Sequence, residues 1–150
     1  MMTHPMCKLL LSLCLLLVMG TNCRAASADV ILVTAAQNPI DELDTRQVRS
    51  LYKGRLSSIN GRTLKPVNAA PGSVDRTEFL KKMLDANELE YTGYWHVRRY
   101  SGQGTPPAEV NDQAELFERV IQEPDQVGYL WVPPGSKPKL PDGLKIIKIR

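Results

Sequence analysis

The 150-residue sequence predicts an α/β fold, a short mixed sheet flanked by helices. Three observations carry this. Val30-Ile31-Leu32-Val33 is a continuous β-branched apolar run, the pattern of a strand covered on both faces. Leu144 to Ile149 alternates Ile with Lys, the period of another strand. Between them, segments with helical spacing of apolar residues alternate with short strand-like runs.

Taken in order, Asn38-Pro39 ends the first strand with a turn signal. Asp44 or Thr45 can cap a helix through Val48, Leu51 and Tyr52, which Gly54 closes. Asn60-Gly61 marks a turn. Leu64 to Asn68 is a short strand, and Pro66 places it at a sheet edge or at its own end. Asp75 to Leu84 brings Phe79, Leu80, Met83 and Leu84 to helical spacing. Glu88 to Tyr100 is a helix carrying Tyr91, Tyr94, Trp95 and Tyr100, weakened locally by Gly93. Ser101 to Pro107 is a loop. Asn111 or Asp112 starts a helix with Leu116, Phe117, Val120 and Ile121 on one face, stopped by Pro124-Asp125. Val127 to Val132 is a strand, and Pro133 to Gly143 is a Pro/Gly-rich loop.

Ahead of these elements, Lys8 precedes an apolar run from Leu9 to Met19, and Ala26-Ser27-Ala28 follows. Basic, apolar and small-residue regions in that order read as a secretory signal peptide over residues 1–28. The run is short for a membrane span. Gly20-Thr21-Asn22 before Cys23 does not read as a lipobox. The expected mature chain, residues 29–150, is enough for one domain with a real core. All three cysteines (Cys7, Cys14, Cys23) lie in the leader, which leaves no thiol for a disulfide or a metal. Loss of Lys8 and Arg24 takes the basic residues from 19 to 17 against 16 acidic ones, a net charge of +1. Small basic clusters such as Arg98-Arg99 do not make the concentrated surface that nucleic acid requires.

Patterns that carry catalysis are sparse. His96 is the one histidine after the leader, and without cysteine it cannot build a usual zinc site. No G-x-S-x-G accompanies it, so a serine hydrolase is unsupported, as is metal-assisted hydrolysis. Ser101-Gly102-Gln103-Gly104 lacks the Gly-Lys-Ser/Thr of a Walker loop, and Pro106-Pro107 replaces the helix entry of a dinucleotide fingerprint. The chain reads as a non-enzyme with no cofactor.

One stretch has the chemistry of a ligand site. Gly72, Ser73, Asp75 and Arg76 stand just ahead of a predicted helix, whose first turn presents unpaired amides and a partial positive charge. Gly72 permits close approach, Ser73 offers a hydroxyl, and Arg76 a fork of donors suited to phosphate or carboxylate. The same residues also make a plain cap, with Ser73 closing the helix while Asp75 and Arg76 face water. Spacing leaves both readings open. Ser101, Gly102, Gly104 and Thr105 could form a second anion-binding concavity, or a simple connection between helices.

Four stretches in order resemble the phosphate-binding proteins of ABC transporters. NPIDELDTRQVRSLYKGR (38–55) resembles their strand-turn-helix with its aromatic-x-Gly ending, and LKPVNAAPGSVDRTEFL (64–80) their strand-loop-helix. YWHVRRYSGQGTPPAEV (94–110) is similar to their Trp-containing helix and Gly-x-Gly-x-x-Pro loop, and VIQEPDQVGYLWV (120–132) to a Pro-ended helix followed by Gly-Tyr on a strand. The resemblance covers nearly all of the expected mature chain. It implies a single, truncated periplasmic-binding-protein-like domain that is exported to the periplasm and binds phosphate or a similar oxyanion. It implies an ABC transporter permease or another envelope protein as partner. Carried over residue by residue, it points to Gly72, Ser73 and Arg76 as the anion site, with Ser101 to Thr105 as a weaker second segment. Where the family has Ser-Gly-Thr, this sequence has Ser73-Val74-Asp75, and a carboxylate there could accept a proton from a protonated phosphate but repels a fully ionised anion. The alternative is a non-catalytic envelope interaction module that keeps the fold without the ligand. Tyr91, Tyr94, Trp95 and Tyr100, with Arg98 and Arg99, would be its contact face, although core packing accounts equally for such aromatics, above all Trp95.

Overall fold

Strand β1 (Asp29–Ala35) divides its side chains between two faces of a sheet, as period-two geometry requires. Val30 and Leu32 enter one hydrophobic cluster; Val33, with Ile31 packed against it, enters another. The structure is a computed structural model that describes residues 29–150, so the segment read as a signal peptide lies outside the described residues.

After β1 come β2 (Glu42–Leu43), helix α1 (Thr45–Tyr52), β3 (Ser58–Ile59), β4 (Arg62–Thr63) and β5 (Lys65–Asn68). Helix α2 (Val74–Phe79) runs into a π-helical turn (Leu80–Leu84), followed by α3 (Glu88–Tyr100), β6 (Ala108–Glu109), α4 (Gln113–Gln122), β7 (Gln126–Val132) and β8 (Leu144–Ile149). The main sheet has the order β2-β8-β1-β7-β5-β6, while β3 and β4 form a separate hairpin. β1 is antiparallel to both β7 and β8, and the remaining neighbours in the main sheet are parallel.

Each face of the sheet is covered. On one side Val48, Leu51 and Tyr52 of α1, Phe79 of α2, Leu80 and Leu84 of the π turn, and Tyr91 and Trp95 of α3 pack on Leu32, Val127, Tyr129 and Ile147. On the other side α4 sets Leu116 and Val120 against Val33, Val67 and Leu130. The architecture is therefore α/β with a mixed sheet between helices, as the sequence predicts. Gly128 on β7 is what lets α4 come so close, because a Cβ there would overlap Leu116 Cδ1.

Where sequence and structure differ, the causes are local. The single helix expected over 75–84 is α2 plus a π turn, halted by Asp85 in the left-handed region at φ 52°. The two-residue strands β2 and β6 fall at positions to which the sequence assigns no element, too short to show a period. Asn60-Gly61, at φ 50° and 75°, is the turn of the β3–β4 hairpin. Pro66 sits at a strand end. Lys65 N–H bonds Asp125 O on the β7 side, so Pro66 faces the β6 side, where pairing begins only at Val67.

A polar network crosses the first core. Tyr52 Oη donates to Val127 O at 2.8 Å, and Tyr91 Oη donates to Tyr52 O at 2.9 Å. Tyr129 Oη donates to Asn68 Oδ1 at 3.2 Å and accepts from Ala69 N–H at 3.1 Å. Phe79 stacks on the Tyr129 ring at 3.7 Å between centroids. Burial pushes the pKa of all three phenols up.

Candidate functional site

Arg76 is the charged residue that α2 drives into the protein; it is only 3% exposed. Its fork closes on Glu88 at the start of α3, with Nε to Oε2 at 2.8 Å and Nη2 to Oε1 at 2.7 Å. Nη1 donates to Glu109 Oε1 of β6 at 2.6 Å and to Ala69 O, just past β5, at 3.1 Å. The guanidinium also lies over the Tyr91 ring, 5.6 Å from its centroid. Burial works against its charge, but hydrogen bonds and charges from Glu88 and Glu109 outweigh that cost and hold its pKa above the ordinary guanidinium value. A fork that matches carboxylate geometry has thus found two carboxylates in its own chain.

The other residues of the stretch are also occupied. Ala70 to Ser73 form a β-turn closed by Ser73 N–H on Ala70 O at 3.1 Å, with Pro71 and Gly72 at the centre. Gly72 has φ +80°, which the third residue of a type II turn requires. Ser73 Oγ accepts from Arg76 N–H at 3.2 Å and caps α2. Asp75 Oδ1 accepts from Trp131 N–H at 2.7 Å, tying α2 to β7. Ser73 and Asp75 line a cavity of about 30 Å³ with Ala70, Asn111, Asp112 and Gln113. It lies past the carboxyl ends of the parallel strands β5 and β6, where open α/β sheets place ligands. The start of α4 meets it too, and Asp112 caps that helix through Glu115 N–H at 2.9 Å. The space is about that of one water molecule.

Ser101 to Thr105 do not join this cavity. They end α3. Gly102, at φ 70°, donates its N–H to Arg99 O, and Gln103 donates to Arg98 O, the paired bonds of a Schellman cap. Ser101 Oγ donates to Val97 O at 2.9 Å. Arg98 Nη2 holds the loop by bonding Gln103 O and Gly54 O. These amides serve helix carbonyls, and the carboxyl end of a helix is its negative end, which disfavours an anion. Gly104 is exposed, and Thr105 lines a separate surface concavity with Trp95 and Gly54.

No family model matches the chain, and no curated protein matches it. Solved structures do. A phosphate transport receptor of the ABC type from Vibrio cholerae aligns with TM-score 0.60 and 18% identity, over 81% of this chain and 46% of that one. A putative phosphate ABC transporter substrate-binding protein from Clostridium perfringens, solved with bound phosphate, aligns with TM-score 0.58 and 16% identity, over 81% and 45%. PstS from Borrelia burgdorferi gives 0.58 and 13%, over 83% and 48%. The chain has the fold of phosphate ABC transporter substrate-binding proteins. It spans about half the length of these structures.

Within this substrate-binding-protein fold, the aromatics of α3 divide between two roles. Tyr91 and Trp95 are core, with Tyr94 packed beside them, whereas Tyr100 is exposed. His96 is exposed and lines a cavity of about 90 Å³ with Arg76, Arg99 and Glu109. Among the described residues no cluster of His, Cys, Asp and Glu is arranged to hold a metal. The site residues that sequence reasoning missed are Glu88 and Glu109. Each is one acid among many in the sequence, and their tie to Arg76 arises only when α3 and β6 pack around α2.

Proposed function

We infer that this protein is a non-catalytic module of the cell envelope that has the substrate-binding-protein fold and acts by protein contact. The observation that carries this reading is the saturation of Arg76 by Glu88, Glu109 and Ala69. A free oxyanion would have to displace two carboxylates from a buried cation and enter beside Asp75 and Asp112. Envelope location follows from the reading of residues 1–28 as a signal peptide, and the similar solved structures are binding proteins.

A second reading is phosphate binding in partnership with an ABC transporter permease. It is favoured by the fold shared with a phosphate-bound protein and by the place of Ser73, at a helix start past the carboxyl ends of β5 and β6. In this reading Ser73 and Arg76 Nη1, freed when Glu109 swings out, hold the anion.

Isothermal titration with phosphate, with sulfate as control, separates the two. The contact reading expects no saturable heat up to millimolar phosphate from folded protein. One-to-one binding that is lost in Arg76→Ala and Ser73→Ala would replace it with the second.

A further inference from the structure

Trp95 is only 4% exposed, and its Nε1 is a buried donor with no hydrogen-bond partner. A buried N–H without an acceptor costs stability, so the space beside it matters. The benzene end of the indole packs on Gly54, in the concavity that Thr105 shares. The nitrogen end lies by Tyr91 Oη. That oxygen already donates to Tyr52 O and accepts from Asn68 Nδ2, and Nε1 completes no bond to it. Tyr91 is absent from the Gly54 concavity, but with Trp95 it lines the cavity of about 90 Å³ between α3 and β6. The unspent N–H therefore belongs to this cavity. Its other walls carry unspent groups as well. His96 and Arg99 are exposed, and their side chains make no hydrogen bond or ion pair among the described residues. Arg76 spends four of its five N–H donors and keeps one on Nη2. Glu109 gives Oε1 to Arg76 and keeps Oε2.

Free donors outnumber free acceptors here, which calls for a carboxylate: the planar fork of Arg99 suits its two oxygens, and Trp95 Nε1 suits one of them. The fixed charges nevertheless cancel. Arg76 and Arg99 stand against Glu109 and against Glu88, which Arg76 holds. A multiply charged oxyanion would be repelled by Glu109. A ligand that brings its own cation to Glu109 Oε2 meets both conditions. Room for about three water molecules limits that ligand to a few carbon atoms, and Tyr91, Trp95 and Pro106 give them apolar walls. We propose that this cavity binds a small zwitterionic amino acid of the size of glycine or alanine, its carboxylate on Arg99 and Trp95 Nε1 and its ammonium on Glu109. The site shares no residue with the cavity at Ser73 and Asp75, and the Arg76 clamp stays closed when it fills. It goes beyond both functional readings above and requires neither.

The chain contains two tryptophans, Trp95 and Trp131, so a sample labelled with heavy nitrogen gives two indole N–H resonances, which Trp95→Phe assigns. The test is a titration of the full chain, expressed with its leader, with glycine and with alanine up to tens of millimolar. The expected result is a saturable shift of the Trp95 indole resonance while that of Trp131 stays in place. For so few ligand atoms the dissociation constant should be on the order of a millimolar. Arg99→Gln alters an exposed side chain, so it should keep the wild-type circular dichroism spectrum and weaken binding at least tenfold. Acetate and methylamine, each offering one half of the zwitterion, should also bind at least tenfold more weakly than glycine. Phosphate should leave the Trp95 resonance unmoved. No saturable shift from folded protein, a shift indifferent to Arg99→Gln, or acetate binding as well as glycine overturns the proposal.

Discussion

Arg76 Nη1 and Glu109 Oε1 stand 2.6 Å apart, joining α2 to the edge strand β6 through a pair whose cation is sealed and whose anion keeps 45% of its side-chain surface in solvent. With Glu88 on the other side of the guanidinium, one side chain clamps two helices and a strand. Removing it strands the Ala69 carbonyl and two carboxylates. The carboxylates are wet enough to recover part of their hydration, so Arg76→Ala should destabilise by about 2–3 kcal/mol, below the full cost of breaking a sealed pair. Urea unfolding measures this. Arg76→Lys should recover only a minor part, because an ammonium cannot make the fork.

Neutralising the carboxylates tests the clamp from the opposite side. In Glu88→Gln/Glu109→Gln the guanidinium stays buried without a counter-charge. The variant should be less stable than wild type, and added sulfate or phosphate should raise its melting temperature. Wild type should show no comparable rise in a thermal shift assay. Equal responses in both proteins would mean that Arg76 is not where the anion acts.

Ser73→Ala should cost about 1 kcal/mol, the usual loss for an N-cap. On the contact reading this loss appears in the unfolding midpoint, and the phosphate titration is unchanged. On the phosphate-binding reading the variant loses heat of binding as well.

The buried phenols set a stability limit at high pH. Tyr52, Tyr91 and Tyr129 have folded-state pKa values raised above the ordinary 10.0, chiefly by burial. The native state therefore holds their protons at a pH where the unfolded chain releases them. Their contribution is complete below pH 10, and it falls as pH rises from there toward the folded values. Stability measured by denaturant titration should drop steeply above about pH 10. Tyr129→Phe, which removes the bonds to Asn68 and Ala69, should cost about 1–3 kcal/mol at neutral pH and flatten that drop.

Gly128→Ala should cost about 1–3 kcal/mol through overpacking, because the new methyl overlaps the buried Leu116 side chain. Gly54→Ala combines a clash with the Trp95 ring and a φ of +63°, so its effect should be at least as large. Melting temperatures of the two variants check both.

The architecture was legible where residues repeat. β1, β7 and β8 announce themselves by β-branched runs or alternation, and α1 and α4 by a cap followed by an apolar face. Ser73, Asp44 and Asp112 are caps in the structure, as their position before helical spacing implied. The candidate site was legible only in part. Sequence places Gly72, Ser73, Asp75 and Arg76 together at a helix start, but not the direction in which Arg76 points. That depends on two acids, 12 and 33 positions further along the chain, that α3 and β6 deliver. The loop at 101–105 has the glycines and hydroxyls of an anion cradle, and these are also the residues of a helix C-cap. Only the partners of its amides tell the two apart.

The pairing of β1 with β8 also governs when the sheet can form. Leu32 lies opposite Ile147, so the first strand described here waits for the last one before both its edges are filled. The other neighbour of β1, β7, also comes late, with Val30 opposite Trp131. A chain appearing amino end first thus carries a central strand with no partner until nearly all of it has been delivered, and such distant contacts form slowly. Removing Leu144–Ile149 should leave β1 with an open edge and a product that proteases degrade faster than the full chain.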